Sequence, residues 1–140
     1  MLESSDRGVV LKVINAIDVP VTVVDVVARD EFAVFAINEA AERCTGLSNA
    51  DIAGHLVHYV VPDDIATRLV EEYQACVDRR EPVEYDDEHF DPAVARRART
   101  TLVPIAGDNG RVVRIVATSY PLVGASSDDE TDSHTKRKVA

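Results

Sequence analysis

The residues best equipped for chemistry in this 140-residue chain fall in one short run, Glu84-Tyr85-Asp86-Asp87-Glu88-His89. Neighbouring carboxylates beside an imidazole can divide general-acid and general-base duty, so Asp86 or Asp87 as a base is the catalytic option on offer. Arg96, Arg97 and Arg99 return on the next expected strand. Pairing of these arginines with the acids across two strands on a solvated face accounts for both clusters without catalysis. His55 and His58 could ligate a metal as neutral imidazoles, but no zinc-ligand spacing, nucleophile elbow or phosphate loop is present. Cys44 and Cys76 form no CxxC pair and fall at apolar helix positions, so both read as buried thiols in a reducing compartment.

Composition narrows the classes further. The net charge is −10, of which residues 124–140, with four acids and three bases, hold −1, leaving −9 for the body. A surface this acidic excludes nonspecific nucleic-acid binding. No apolar run approaches the ~20 residues that span a bilayer, and the start MLESSDRG is unlike a signal peptide, so a cytoplasmic protein without a membrane partner is expected. Lys12 is the only lysine before the tail. Acid-rich, lysine-poor chains occur in salt-adapted organisms, and GC-rich genomes also exchange Lys for Arg.

The elements that must position these residues can be taken in order. Val10, Val13, Ile14 and Ile17 fall at helical spacing before Pro20 and predict an amphipathic helix over 9–18 after a flexible start, 1–8. Val19 to Val27 and Phe32 to Ile37, rich in β-branched and aromatic residues, predict a paired hairpin. Asn38 and Ser48 can cap two short helices that stop at Gly46 and Gly54, with Ser48-x-x-Asp51 resembling a capping box. The segment from His55 to Asp64 fits neither period. Pro62-Asp63-Asp64 opens the longest helix, with Ile65, Leu69, Tyr73, Cys76 and Val77 on one face. Strands follow over Val83 to His89, Arg96 to Ile105 and Arg111 to Tyr120, the last two joined at Gly107-Asp108-Asn109-Gly110. This order gives an α+β domain over 9–123 with helices grouped on one side. Residues 124–140, polar and aperiodic, predict a disordered tail.

That order, with its motifs, resembles a PAS domain over about residues 9 to 122. The carriers are the strand into Asn38-Glu-Ala-Ala, Gly46-Leu-Ser, Asp51-Ile-Ala-Gly54, Pro62-Asp-Asp, and Leu102-Val-Pro104-Ile followed by Gly110-Arg-Val-Val and Ile115-Val-Ala-Thr-Ser. The resemblance implies a five-stranded antiparallel sheet whose one face is closed by short helices and one long helix over a small cavity. Members sense small molecules, redox state or light, or serve as dimerisation modules without catalysis of their own. Haem-binding members present an axial His from the long helix, and residues 63 to 80 contain none, so haem is not expected. The cysteinyl-flavin photoreceptors carry Asn-Cys-Arg-Phe-Leu-Gln where this chain has His55-Leu-Val-His-Tyr-Val-Val, which excludes that photocycle. A noncovalent flavin or another small organic ligand is the remaining option. Members that drive an attached kinase often end in Asp-Ile/Val-Thr; here Pro121-Leu122-Val123 stands in its place. The output is expected to pass to a separate signalling partner or to a lost output domain.

On the last strand, Val113, Ile115, Ala117 and Ser119 form the smaller, uncharged face and are assigned inward. By the resemblance, Thr100 and Leu102 join them, with Leu69, Tyr73 and Tyr85 on the opposite wall. Either these residues line a pocket for a small, largely apolar ligand, or they fill the core. The other face would expose Val103, Ile105, Val112 and Val116, an apolar patch that needs cover. Val10, Ile14 and Ile17 of the first helix can supply it from the same chain or a second subunit, and a homodimer built there is the expectation. From a different class, a small α+β cone-like isomerase or hydrolase would use Asp86 or Asp87 as its base.

Overall fold

The computed structural model describes residues 1–91, 96–121 and 137–138, and the side chains of 1–86 and 98–120. Helix α1 (Arg7–Ile14) precedes the hairpin β1 (Val21–Ala28) and β2 (Glu31–Ile37). Then come α2 (Glu39–Thr45), α3 (Asn49–Ile52), a 3₁₀ turn (Val57–Tyr59) and the long α4 (Asp63–Arg79). β3 (Val83–Asp91), β4 (Arg96–Ala106), β5 (Val112–Pro121) and the two-residue β6 (Arg137–Lys138) complete the order. The strands lie β2-β1-β5-β4-β3-β6, and every described pair is antiparallel. Of the tail expected to be disordered, residues 137 and 138 pair with Val83 and Glu84 of β3; the rest of 122–140 lies outside the described residues.

Strand alternation sorts the apolar residues onto two faces, each with its own core. Val24, Phe32, Val34, Val83, Tyr85, Leu102, Ile115 and Ala117 meet Ala41, Ile52, Val57, Ala66, Val70, Tyr73 and Cys76 under α2 to α4. On the other face Val21, Val23, Phe35, Ala36 and Val116 meet Val10 and Ile14 of α1. The first helix therefore covers the outer face of its own chain, where Val10 and Ile14 are fully buried. It starts earlier than the apolar spacing predicts because Asp6 caps it, accepting from the N–H groups of Gly8 and Val9. It also ends at Ile14, and Ile17 lies beyond it, exposed. The start of the chain, expected to be flexible, is held at two points. Arg114 donates to the carbonyls of Leu2 at 2.7 Å and Ser4 at 2.6 Å.

Asn38 ties these layers together. Its Oδ1 caps α2 at Ala41 N and accepts from Val21 N, the first residue of β1, each at 2.9 Å. Its Nδ2 donates to the carbonyls of Ile14, Ile17 and Val19. Ser48, by contrast, makes no capping bond; Glu42 accepts from Asn49 N instead, and Asn49 Oδ1 accepts from Ile37 N. Gly46 (φ 76°) closes α2 in the left-handed region that glycine enters at no steric cost.

Two bulges set which residues face which core. Val23 pairs with Ala36 and Val24 with Val34, so Phe35 is an extra residue and joins Ala36 on the outer face. Ile105 pairs with Arg114 and Ala106 with Val112, leaving Val113 as the extra residue in β5. This shifts the alternation by one position. Val112, expected outward, is buried in the inner core, and Val113, expected inward, is 45% exposed. Among the described residues, no helix is long and apolar enough to cross a membrane.

Candidate ligand cavity

A cavity of about 350 Å³ lies between the sheet and the helices α2 to α4. Proximity to α4 explains its walls. The deeply buried positions of that helix are Ala66, Val70, Tyr73 and Cys76, so the face turned to the sheet is rotated by about one residue from the stripe expected through Ile65 and Leu69. Ile65 and Leu69 are consequently half-buried and border the cavity rather than packing beneath it.

Six of the nine residues expected to line a pocket do so: Leu69, Tyr73, Tyr85, Thr100, Ala117 and Ser119. Leu102 and Ile115 face the same side but are fully buried in the core and do not border the space. Val113 is removed from it by the β5 bulge. Thr100 Oγ1 and Ser119 Oγ hydrogen-bond at 2.9 Å on directly opposed residues of β4 and β5, placing two hydroxyls on the sheet side of the cavity, which Thr22 and Tyr85 also border. Tyr73 is fixed edge-on against Phe32, with ring centroids 5.3 Å apart and planes at 62°.

Sequence reasoning named no pocket residue of the α2–α3 region, where Ala41, Thr45, Leu47 and Ile52 border the cavity, and missed two further contributions. Thr22 and Val24 of β1 form a wall, because the β1–β5 pairing sets Thr22 opposite Ala117. The aperiodic segment after Gly54 supplies Val57, Val60 and Val61, held over the sheet by Val34, whose N–H donates to His55 O and whose carbonyl accepts from Gly54 N. Its density in valine was the available signal. Arg68, Glu71 and Glu72 are the charged residues bordering the cavity, all from α4.

The other candidate chemistry lies elsewhere. Asp86 alternates with Tyr85 and is turned from the cavity, with Arg99 Nε donating to its Oδ1 at 3.0 Å; its Oδ2 is buried and accepts no hydrogen bond. The side chain of Asp87, the other candidate base, lies outside the described residues. His55 and His58 are exposed and do not border the cavity, and His89 has no described side chain. Among the described residues no three His, Cys, Asp or Glu side chains converge as a metal site.

No disulfide joins Cys44 and Cys76. Burial pushes the Cys76 thiol up to about 11, because a thiolate there would lose its hydration. In the native protein at pH 8, Cys76 is expected to react with a maleimide at least about tenfold more slowly than the half-buried Cys44, and both at equal rates in denaturant. Equal native rates, read by peptide mass mapping, would contradict that burial.

Comparison with known proteins places this geometry. The PAS domain of Bordetella pertussis BvgS superposes with a TM-score of 0.69 at 17% identity, over 89% of this chain and 91% of that one. A sensory box sensor histidine kinase structure from Vibrio cholerae gives 0.63 at 14%, covering 82% and 90%. The Rhodobacter sphaeroides LOV protein gives 0.62 at 15%, covering 86% and 69%. No match was found among curated proteins. The family model described as PAS fold matches residues 14–123, most of the chain and both walls of the cavity, so the chain belongs to the PAS fold family.

Proposed function

We propose that this domain is a sensory or regulatory module that holds a small, uncharged, largely apolar ligand in the cavity and acts through a second copy and a separate signalling partner, without chemistry of its own. The cavity itself carries this reading: it is large enough for a compact organic molecule, and apolar walls dominate it. The hydroxyls of Thr100 and Ser119 supply a polar point that can exchange its internal hydrogen bond for one to the ligand. A charged ligand head would lose hydration against the valine-rich walls. The sensory assignment is supported by family membership.

The dimer is proposed on the half of the outer face that α1 leaves open. There Val103 is 40% and Tyr120 51% exposed, while Ile105, half-buried, packs at the edge of the α1 core. Val10, Ile14 and Val116 are committed to the core between α1 and its own sheet, and Val112 faces the inner core, so these four are not part of the proposed interface.

Native mass spectrometry of freshly purified protein tests both parts. The expected spectrum shows a dimer carrying an added mass of a few hundred daltons, on the scale of a cavity ligand. Ala117→Phe, which places a ring in the cavity, should lose the adduct, and Val103→Glu with Tyr120→Glu should give monomer that retains it. A ligand-free wild type whose melting point is unmoved by Ala117→Phe would sink the sensor reading. A dimer untouched by the glutamates would sink the interface.

A further inference from the structure

A second concavity, about 490 Å³, lies at the far end of α4, between the β1–β2 turn and the β4–β5 hairpin. It shares no lining residue with the ligand cavity. Val26, Val77 and Val112 contribute to its lining, with Val27 and Val113 standing 56% and 45% exposed, on a surface that is otherwise largely polar. Its rim carries Arg29, Arg80 and Arg111.

Three features of the chain converge here. The β5 bulge turns Val113 out of the core and into this groove, where strict alternation would have buried it. Bulges recur where a fold re-aims a side chain for use. Arg80 closes α4 with φ 58°, a left-handed conformation that Gly46 supplies freely at the equivalent place in α2. A non-glycine residue there carries backbone strain that the fold does not require. The charge balance is also local and unusual. Three guanidiniums face a single lining carboxylate, Asp78. That carboxylate is already engaged by both Arg29 nitrogens, at 3.1 and 3.2 Å, and by Gln74 Nε2 at 3.0 Å. Among the described residues the lining therefore sums to +2, on a chain of net charge −10. Asp30 and Asp108 lie outside the lining, but the Asp30 charge acts on Arg29 together with Asp78, so the positive excess rests on Arg80 and Arg111. Gln74 also accepts from Asp30 N at 2.8 Å, so the turn that frames the groove is fastened to α4.

We infer that this groove docks an acidic segment of a partner protein, seating an apolar side chain against Val27 and Val113 and carboxylates against Arg80 and Arg111. A cationic island on an acidic protein steers anionic partners to one place, because the surrounding surface repels them. The exposed valines select a segment with an apolar anchor over a simple inorganic anion. This inference goes beyond the sensor reading and does not need a cavity ligand to be tested.

The probe is a fluorescein-labelled peptide Asp-Glu-Asp-Leu-Phe-Glu-Asp-Glu, followed by anisotropy with the full chain. Binding with a dissociation constant below about 1 mM is expected, weakened by raising salt through the range where the Debye length shortens below about 10 Å. Arg80→Gly is the decisive variant. Glycine accepts φ 58° without cost, so the variant folds at least as well as the parent while losing the charge. Combined with Arg111→Gln it should weaken binding at least about fivefold, and Val113→Ser should weaken it separately. A peptide with serines in place of Leu and Phe should bind more weakly than the parent peptide. No binding up to about 1 mM, affinity unchanged in the variants, or equal affinity for an oligothymidylate of the same charge would each overturn the inference.

Discussion

An Asn38→Ala variant is expected to lose about 3 kcal/mol of stability, read by urea unfolding followed by circular dichroism. The side chain is fully buried and makes five hydrogen bonds to backbone groups of four separate segments. Truncation removes the α2 cap, worth about 1 kcal/mol. It also strips the carbonyl of Val19 and the N–H of Val21 of a partner, while the Ile14 carbonyl keeps its bond from Ile17 N; each orphaned group costs about 1–3 kcal/mol before local relaxation recovers part of it. Asn38→Asp separates the two halves of the network. It keeps the acceptor for Ala41 and Val21 but turns an oxygen toward three carbonyls, so at neutral pH it should be at least as damaging as alanine. Burial and those carbonyls hold the new carboxyl protonated in the folded state to a higher pH than in the unfolded chain, where it titrates near 3.9. The folded state then binds more protons, so the deficit shrinks as pH falls and grows as pH rises through that region. A loss below about 1 kcal/mol in Asn38→Ala would mean that water replaces the whole network.

Asn38 also shows how far local pattern reading reaches. Its capping of α2 was legible, because the acceptor and its target are three residues apart. Its bonds to Ile14, Ile17 and Val19 were not, since they join segments brought together only by the finished fold. The same divide runs through the sheet. The β4–β5 hairpin, its turn and the pairing of Asp86 with Arg99 follow from turn chemistry and charge order, and all are present. The bulge at Val113 does not, because an inserted residue leaves no mark in a run as uniformly apolar as Val112-Val113. One unseen residue exchanged the faces of Val112 and Val113, while Ile115, Ala117 and Ser119, beyond the bulge, kept the faces assigned to them. The cavity was legible on the β4, β5 and α4 sides, where alternation or the family resemblance pointed. Its β1 side was hidden, because Thr22 and Val24 sit in a strand whose second partner, and therefore whose inward face, was unknown until β1 proved to lie against β5.

Arg114 lies buried on the outer face of β5, and the second large effect follows from it. The side chain is only 6% exposed. Nε and Nη2 meet the two Asp25 oxygens at 2.6 and 3.3 Å, Nη1 donates to Leu2 and Ser4 carbonyls, and the guanidinium lies 4.0 Å over the Phe35 ring. Asp25 is less enclosed, with a third of its side chain exposed. The two ends of this pair should therefore respond unequally to loss of the other. Asp25→Ala leaves a cation sealed from water, with carbonyls, a ring and only the exposed Glu3 carboxylate acting weakly on it, and is expected to cost about 3–5 kcal/mol. Arg114→Met removes the charge, keeps contact with Phe35 and leaves Asp25 able to hydrate, so it should cost less, about 1–2 kcal/mol. The double variant should resemble Arg114→Met alone, because the penalty of the first change is the stranded cation. Both arginine variants should also free the first residues of the chain, seen as faster amide exchange around Ser4 and in α1, whereas the cavity walls stay protected. Equal costs for Asp25→Ala and Arg114→Met in urea unfolding would show that solvent reaches the guanidinium, and would remove the case that the N-terminal segment is fastened by a buried charge.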